Sequence, residues 1–337
     1  MKRLFLGIIL IVATSAVLLV TDSGQRKSGA HHLPRVALLQ HATQALLDEG
    51  VDGILAALAE AGFVDKKSVL IQRYNAEGDI ATANAIAKEI TDRGFDLIVT
   101  VTTISLQTVA SANRGGVRHV FGFVSDPFSA GVGIDRANPA VHPKHLVGLG
   151  SMPLVAESFR VARKIYPGLK RVGAAWNPAE SNSVANIKLA RKIAGELGIE
   201  LVEANVENSS AVQQATEALI ARDVDALWVG GDLTMIIALD AVVASARRAG
   251  IPVFTSIAGN AERGALFDVG SDPTEIGKAI GALAAKVLGG ADPAAIPVRN
   301  FAVERLVLNR RALQGLKDPW VVPPETLARS VAPRSTR

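Results

Sequence analysis

RVGAAWNPAESNSV, residues 171–184, decides how this chain is read. Val172 to Trp176 has the make-up of a buried strand. Pro178 has no N–H to donate and ends it. Asn177-Pro178-Ala179-Glu180 makes a short polar loop. A helix then opens at Ser181, with Ser181 or Asn182 as cap, and continues through Val184, Ile187, Ala190, Ile193, Ala194 and Leu197 at helical spacing. A strand that runs through a polar loop into a helix N-terminus makes an anion pocket, because free N–H groups and the positive end of the helix dipole face the loop. Alone, the stretch is also what an ordinary capped βα turn looks like. The rest of the chain decides between the two.

The same alternation surrounds it. Upstream, apolar strands at Val36 to Gln40, Val69 to Arg73, Asp96 to Val101 and Val117 to Phe123 alternate with helices at Leu46 to Ala61, Ile80 to Arg93 and Leu106 to Asn113. Ser125 to His145 reads as a long loop. A short strand at Leu146 to Gly150 and a helix from Pro153 to Tyr166 follow. Downstream, the order restarts through Glu200 to Val206, Ala211 to Ala221, Ala226 to Gly230, Leu233 to Ala249 and Val253 to Ser256. Repeated βα units with short loops specify parallel sheets covered on both faces. A late strand (Ala265 to Val269), a helix (Thr274 to Leu288) and an extended stretch (Ile296 to Leu308) must return to one half and then the other. The fold expected is α/β, two doubly wound parallel-sheet lobes joined by a multi-strand hinge. Residues 31–150 plus 257–293 are assigned to the first lobe, and 151–256 plus 294–337 to the second.

The 337 residues suffice for two cores. The chain is 49% hydrophobic with only 4% aromatic residues, which suits parallel sheets rich in small aliphatic side chains. The net charge of +4 is dispersed, with no basic stripe interleaved with aromatics, so nucleic acid is not an expected partner. Met1-Lys2-Arg3 followed by the apolar run Leu4 to Val20 reads as an export signal within residues 1–30, cleaved before about His31. An uncleaved anchor is the alternative reading. The chain has no cysteine. Disulfides, thiol catalysis and a lipidated N-terminal cysteine are therefore excluded, and a diffusible periplasmic protein is expected.

Ligands of open parallel sheets sit beyond the carboxyl ends of the strands. In the first lobe those positions carry Gln40, Thr43, Thr102, Thr103, Ser125 and Asp126. In the second they carry Trp176, Asn177, Glu180, Ser181, Asn182, Ser183, Asp232 and Ser256, with Asp272 after the late strand. Nearly all are hydroxyl, amide or carboxylate residues, a hydrogen-bonding ring suited to a small polar or zwitterionic ligand. Thr102, Thr103, Ser181 and Ser183 would hold a carboxylate, Asp126 or Asp232 an ammonium. Phe123, Phe128 and Trp176 would flank an apolar side chain. There is no G-x-S-x-G elbow, no phosphate loop and no dinucleotide fingerprint, so no enzyme, cofactor or nucleotide site is indicated. His142 and His145, three apart in a loop, make only a weak metal signal.

The chain resembles the type I periplasmic-binding-protein fold. More narrowly, it is similar to the ABC transporter substrate-binding family that includes the tryptophan- and tyrosine-binding lipoproteins. The matching segments are Tyr74-Asn75-Ala76-Glu77-Gly78-Asp79, Phe123-Val124-Ser125-Asp126-Pro127, Arg171-Val172-Gly173 with Asn177 to Ser183, Ile251-Pro252-Val253-Phe254, Glu262 to Leu266, and Leu288-Gly289-Gly290 before Ile296-Pro297, within roughly Arg35 to Leu316. The resemblance implies an exported, monomeric solute-binding protein that closes on an amino acid or related carboxylate and docks on a membrane ABC permease with its ATPase. The same fold serving a membrane receptor as a sensor is the alternative. The residues carried over are Thr102, Thr103, Ser125, Asp126, Asn177, Glu180, Ser181, Asn182, Ser183 and Asp232. Besides the missing cysteine, Gly230-Gly231-Asp232-Leu233 stands where the family often has a Thr-Asp-Asn loop, and Ser271-Asp272-Pro273 where aromatic residues are common. Both changes remove side chains from the cleft wall, which counts against an aromatic amino acid as ligand.

Overall fold

The computed structural model describes residues 33–333. The export signal, its cleavage point and the leader up to His32 lie outside the described residues.

Two sheets carry the chain. The first is all parallel and combines β1 (Arg35–Gln40), β2 (Leu70–Asn75), β3 (Leu97–Val101), β4 (His119–Val124), β5 (Leu146–Gly150) and β11 (Arg299–Asn300) in the order β2-β1-β3-β4-β5-β11. The second runs β7-β6-β8-β9-β10-β12-β13, from β6 (Arg171–Trp176), β7 (Glu200–Asn205), β8 (Ala226–Val229), β9 (Val253–Thr255), β10 (Phe267–Ser271), β12 (Glu304–Leu308) and β13 (Ser330–Val331). Only the β10–β12 pairing is antiparallel. Every residue of β3 and β5 is buried. Helices cover both faces, which is why those strands read as unbroken apolar runs rather than alternating ones.

The first lobe carries α1 (Ala45–Glu60), α2 (Ile80–Asp92) and α3 (Thr103–Ala112). The second carries α4 (Val155–Ile165), α5 (Ser181–Glu196), α6 (Val212–Ala221), α7 (Leu233–Ile237), α8 (Leu239–Arg248) and the short α10 (Pro324–Arg329). The helix read as continuous from Leu233 to Ala249 is broken at Ala238 into α7 and α8. No helix or strand falls within Ser125 to His145, as the sequence indicates.

The remaining helix, α9 (Pro273–Leu288), follows second-sheet strands in the chain but packs on α1 in the first lobe. Glycines allow the two backbones to touch. A Cβ on Gly277 would stand 2.0 Å from the Gly50 carbonyl oxygen, and one on Gly281 2.4 Å from that of Ile54.

The lobe boundaries read from sequence change in two places. Within 257–293, β10 belongs to the second sheet, because Phe267 stacks on Phe254 at 5.4 Å between ring centroids and completes that core. Within 294–337, β11 joins β5 in the first sheet. The chain therefore passes between the sheets through 151–154, at Asp272, and through 301–303. The fold is that of the type I periplasmic-binding proteins: two α/β lobes facing one another.

Candidate functional site

A cavity of about 250 Å³ lies between the lobes, at the carboxyl ends of both sheets. Its first-lobe wall comes from Gln44, Leu46 and Glu49 of the loop into α1 and its first turns, Thr102, Thr103 and Ile104 at the start of α3, and Phe123 and Ser125 at the end of β4. Its second-lobe wall comes from Glu180 and Asn182, then Gly231, Leu233 and Ile236, then Ser256 and Ile257. Met152, Pro153, Ser271, Pro273 and Arg305 close it along the crossing segments. The lobes also touch where Gln107 Nε2 on α3 donates to Ser181 Oγ on α5 at 3.3 Å.

The first-lobe wall is strained where it meets the cavity. Thr102 has φ 107° and Phe123 φ 53°, both in the region that favours glycine. Phe123 is held by Gly50, where a Cβ would stand 2.2 Å from the ring edge. Thr102 Oγ1 caps α3 by accepting from Ser105 N at 3.3 Å.

The second-lobe wall is organised by two carboxylates. Glu180 is the residue before α5, yet its side chain makes no cap there. It turns to α7 and accepts from Leu233 N (3.0 Å), Thr234 N (3.1 Å) and Thr234 Oγ1 (2.6 Å). Asp232 caps the same helix through Met235 N (3.1 Å) and accepts from Asn177 N (2.6 Å) and from Ser183 Oγ. Burial and then the Glu180 charge push the Asp232 carboxyl up to about 7, against those hydrogen bonds. His41, buried opposite on the first lobe, is lowered by desolvation, with Glu180 and Asp79 pulling the other way.

Of the residues singled out from sequence, Thr102, Thr103, Ser125, Glu180, Asn182 and Ser256 lie on the cavity wall. The Ser256 hydroxyl is turned inward, accepting from Trp228 Nε1 and bonded to Ser158 Oγ, each at 2.9 Å. The others hold structure. Gln40 Nε2 ties the end of β1 to Asp48 at 2.7 Å. Thr43 Oγ1 accepts from Asn75 Nδ2 at 2.8 Å. Asp126 orders its own turn through Phe128 N and Ser129 Oγ and pairs with Arg136, so it does not face the cavity as an ammonium partner. Trp176 points to the far edge, donating to Glu203 Oε2 at 2.9 Å beneath the Arg191 guanidinium. Asn177 and Ser183 support Asp232 from behind. Ser181 is the first residue of α5, not its cap. Asp272 caps α9 through Thr274 N and pairs with Arg305 at 3.2 Å. The His142 ring nitrogens meet the carbonyls of Pro143 and Ile296, and among the described residues no cluster is fit to hold a metal ion.

Of the apolar wall, the sequence pointed to Phe123 and missed Leu46, Ile104, Leu233, Ile236 and Ile257; Ile104, Leu233 and Ile257 each directly follow a polar residue at a strand-to-helix turn or strand end, and that position was the available signal. Arg305 carried none, because it arrives from a strand distant in sequence.

These features define a two-lobed binding protein with a largely apolar cleft between the lobes, edged by polar groups. The model of the ABC transporter substrate binding protein family matches residues 35–329, and the chain belongs to that family. A curated relative, the tyrosine-binding protein of Clostridioides difficile (strain R20291), is 26% identical over 88% of this chain and 82% of its own length. Among solved structures, a conserved domain protein from Vibrio cholerae is 29% identical with a TM-score of 0.83, over 89% of this chain and 99% of that one. The ABC domain from Streptococcus pneumonia in complex with L-Trp is 26% identical with a TM-score of 0.82, over the same shares. Among the described residues, no helix is long and apolar enough to cross a membrane.

Proposed function

We propose that the chain is the exported, monomeric binding component of an ABC importer, and that it closes by hinge motion on an amino acid with an apolar or aromatic side chain. The observation that carries this reading is the cavity. Leu46, Ile104, Phe123, Leu233, Ile236 and Ile257 give it an apolar body, and the N-terminus of α3 opens on its wall at Thr102 and Thr103. A carboxylate suits that end. Acidic Glu49, Glu180 and Glu262 outnumber Arg263 and Arg305 on the walls, which suits a ligand that also carries an ammonium. A ligand held by both lobes stabilises the closed form by its contacts with each. Two relatives, one a tyrosine-binding protein and one in complex with L-Trp, support the same class. A membrane permease and its ATPase are the partners this role requires.

The test is thermal unfolding of the chain against a panel of amino acids, organic acids, sugars and nucleosides. A ligand at 100 times its Kd adds about 2.7 kcal/mol, several degrees in Tm. A shift with aromatic or large aliphatic amino acids is expected. A shift with sugars or nucleosides alone overturns the ligand class. An unchanged scattering radius on saturation overturns hinge closure.

A further inference from the structure

Behind the second-lobe wall, α5 carries two buried amides one turn apart. Asn186 is 1% exposed, and neither its Nδ2 nor its Oδ1 makes a hydrogen bond. Asn182 donates its Nδ2 to the Gly231 carbonyl and toward Glu180, which leaves its buried Oδ1 without a partner. An unsatisfied buried amide is destabilising unless something else pairs with it. Neither residue holds the fold together through these atoms, since no backbone or side-chain group meets them.

Both amides meet Gly231, Asn182 through its bond to the carbonyl and Asn186 at the empty Cβ position. Gly231 lines the wall, and a Cβ built there would stand 2.7 Å from Asn186 Nδ2, 2.8 Å from Pro153 Cγ and 3.4 Å from Ile257 Cδ1. Pro153 and Ile257 are wall residues as well. Only the missing side chain of Gly231 allows the Asn186 amide to reach so close to the lining. Asn182, a wall residue, thus carries an unpartnered carbonyl acceptor, and directly behind Gly231 the Asn186 amide adds an unpartnered acceptor and donor.

We infer that Asn182 and Asn186, admitted by Gly231, form a subsite that receives a hydrogen-bond donor of the ligand and makes the protein selective for ligands that carry one. The inference rests on the amino-acid reading above. The donor is either a side-chain O–H or the α-ammonium. A site built to pair with such a group rejects an analogue lacking it far more strongly than an apolar pocket rejects a missing methylene.

The experiment is calorimetric titration of the full chain and of Asn186→Leu with L-tyrosine, L-phenylalanine and 3-phenylpropionate, with Gly231→Ala as a second variant that pushes the amide back without removing it. Asn186→Leu is expected to lose at least about tenfold in affinity for ligands that keep the donor and less than about threefold for those without it. A loss confined to tyrosine identifies the side-chain hydroxyl. A loss shared by both amino acids but absent for 3-phenylpropionate identifies the ammonium. Gly231→Ala is expected to follow the same ranking. An equal loss for all three ligands, or no loss, overturns the subsite while leaving the amino-acid reading in place. If the leucine variant does not fold, the alanine variant and the wild-type preference among the three ligands decide. Failure of the wild type to bind any of them overturns the amino-acid reading, and the subsite falls with it.

Discussion

Two strand-to-helix turns face one another across the cavity, and they solve the same local problem in opposite ways. At Val101-Thr102-Thr103 the start of α3 is capped by one threonine hydroxyl and opens on the cavity without a neighbouring acid in its first turn. At Trp176 to Ser181 the loop sends its carboxylate elsewhere, to α7, whose five-residue length is saturated by Glu180 and Asp232 together. Both turns read alike in sequence, a buried strand followed by polar residues and a helix. The first lobe presents a helix N-terminus to the cavity, and the second spends the acids of its turn on the N-terminus of α7, leaving α5 without a side-chain cap.

The largest expected effect breaks the second turn. Asp232→Ala leaves the buried N–H groups of Asn177 and Met235 unpaired and is expected to destabilise the chain by about 3 kcal/mol. A shift in the urea midpoint worth less than about 1 kcal/mol would show that these acids are not needed to organise the wall.

Next comes pH, to which the lobes respond in opposite directions. His119, fully buried on β4, is held neutral by desolvation, its pKa lowered from 6.5 to about 3. The unfolded chain takes up a proton that the folded chain refuses, so His119 costs about 2 kcal/mol of stability between pH 7 and pH 5. Asp268, buried on β10, is raised by desolvation to about 7. Its folded form holds a proton that the unfolded form has lost, so its contribution falls as pH rises from about 4 toward 7. His119→Gln is therefore expected to remove the acid-side loss and leave the Asp268 trend. Denaturant midpoints at pH 5 and pH 7 for both proteins check the sign, and an unchanged difference between them would place the titration elsewhere.

Thr102→Ala tests the first turn directly. Losing the cap costs about 1 kcal/mol, and ligand affinity is expected to fall by more than that loss accounts for. Equal affinity in calorimetry would move the carboxylate away from α3. Ser181→Ala is the smallest change. The residue caps nothing, so a stability change within about 0.5 kcal/mol and a nearly unchanged Kd are expected, and a loss matching that of Thr102→Ala would erase the contrast between the turns.

The architecture was legible because buried parallel strands leave a periodic trace: apolar runs such as Leu97–Val101, closed by hydroxyl residues and then by helical spacing. What failed was the assignment of late elements. The strand at Phe267 pairs with β9 through contacts between aromatic rings that no local pattern announces. The site was half legible for a related reason. Polar residues after strands are easily found, but whether Asp126 or Asn182 faces the cavity depends on tertiary partners such as Arg136 and Gly231. Gly231 is instructive, because its lack of a side chain does not open the wall. Asn186, Pro153 and Ile257 fill the place.

The glycine contact between α1 and α9 has a consequence for how the chain is made. The face of α1 that bears Gly50 and Gly53 is complete by residue 60, yet its partner spans Pro273–Leu288. A chain emerging from a ribosome exposes that face throughout the synthesis of the whole second sheet core up to β10. The lobe begun first thus waits for most of the second to be made before its own helix pair can close, and any factor that shields nascent apolar surface has a long-lived target in α1.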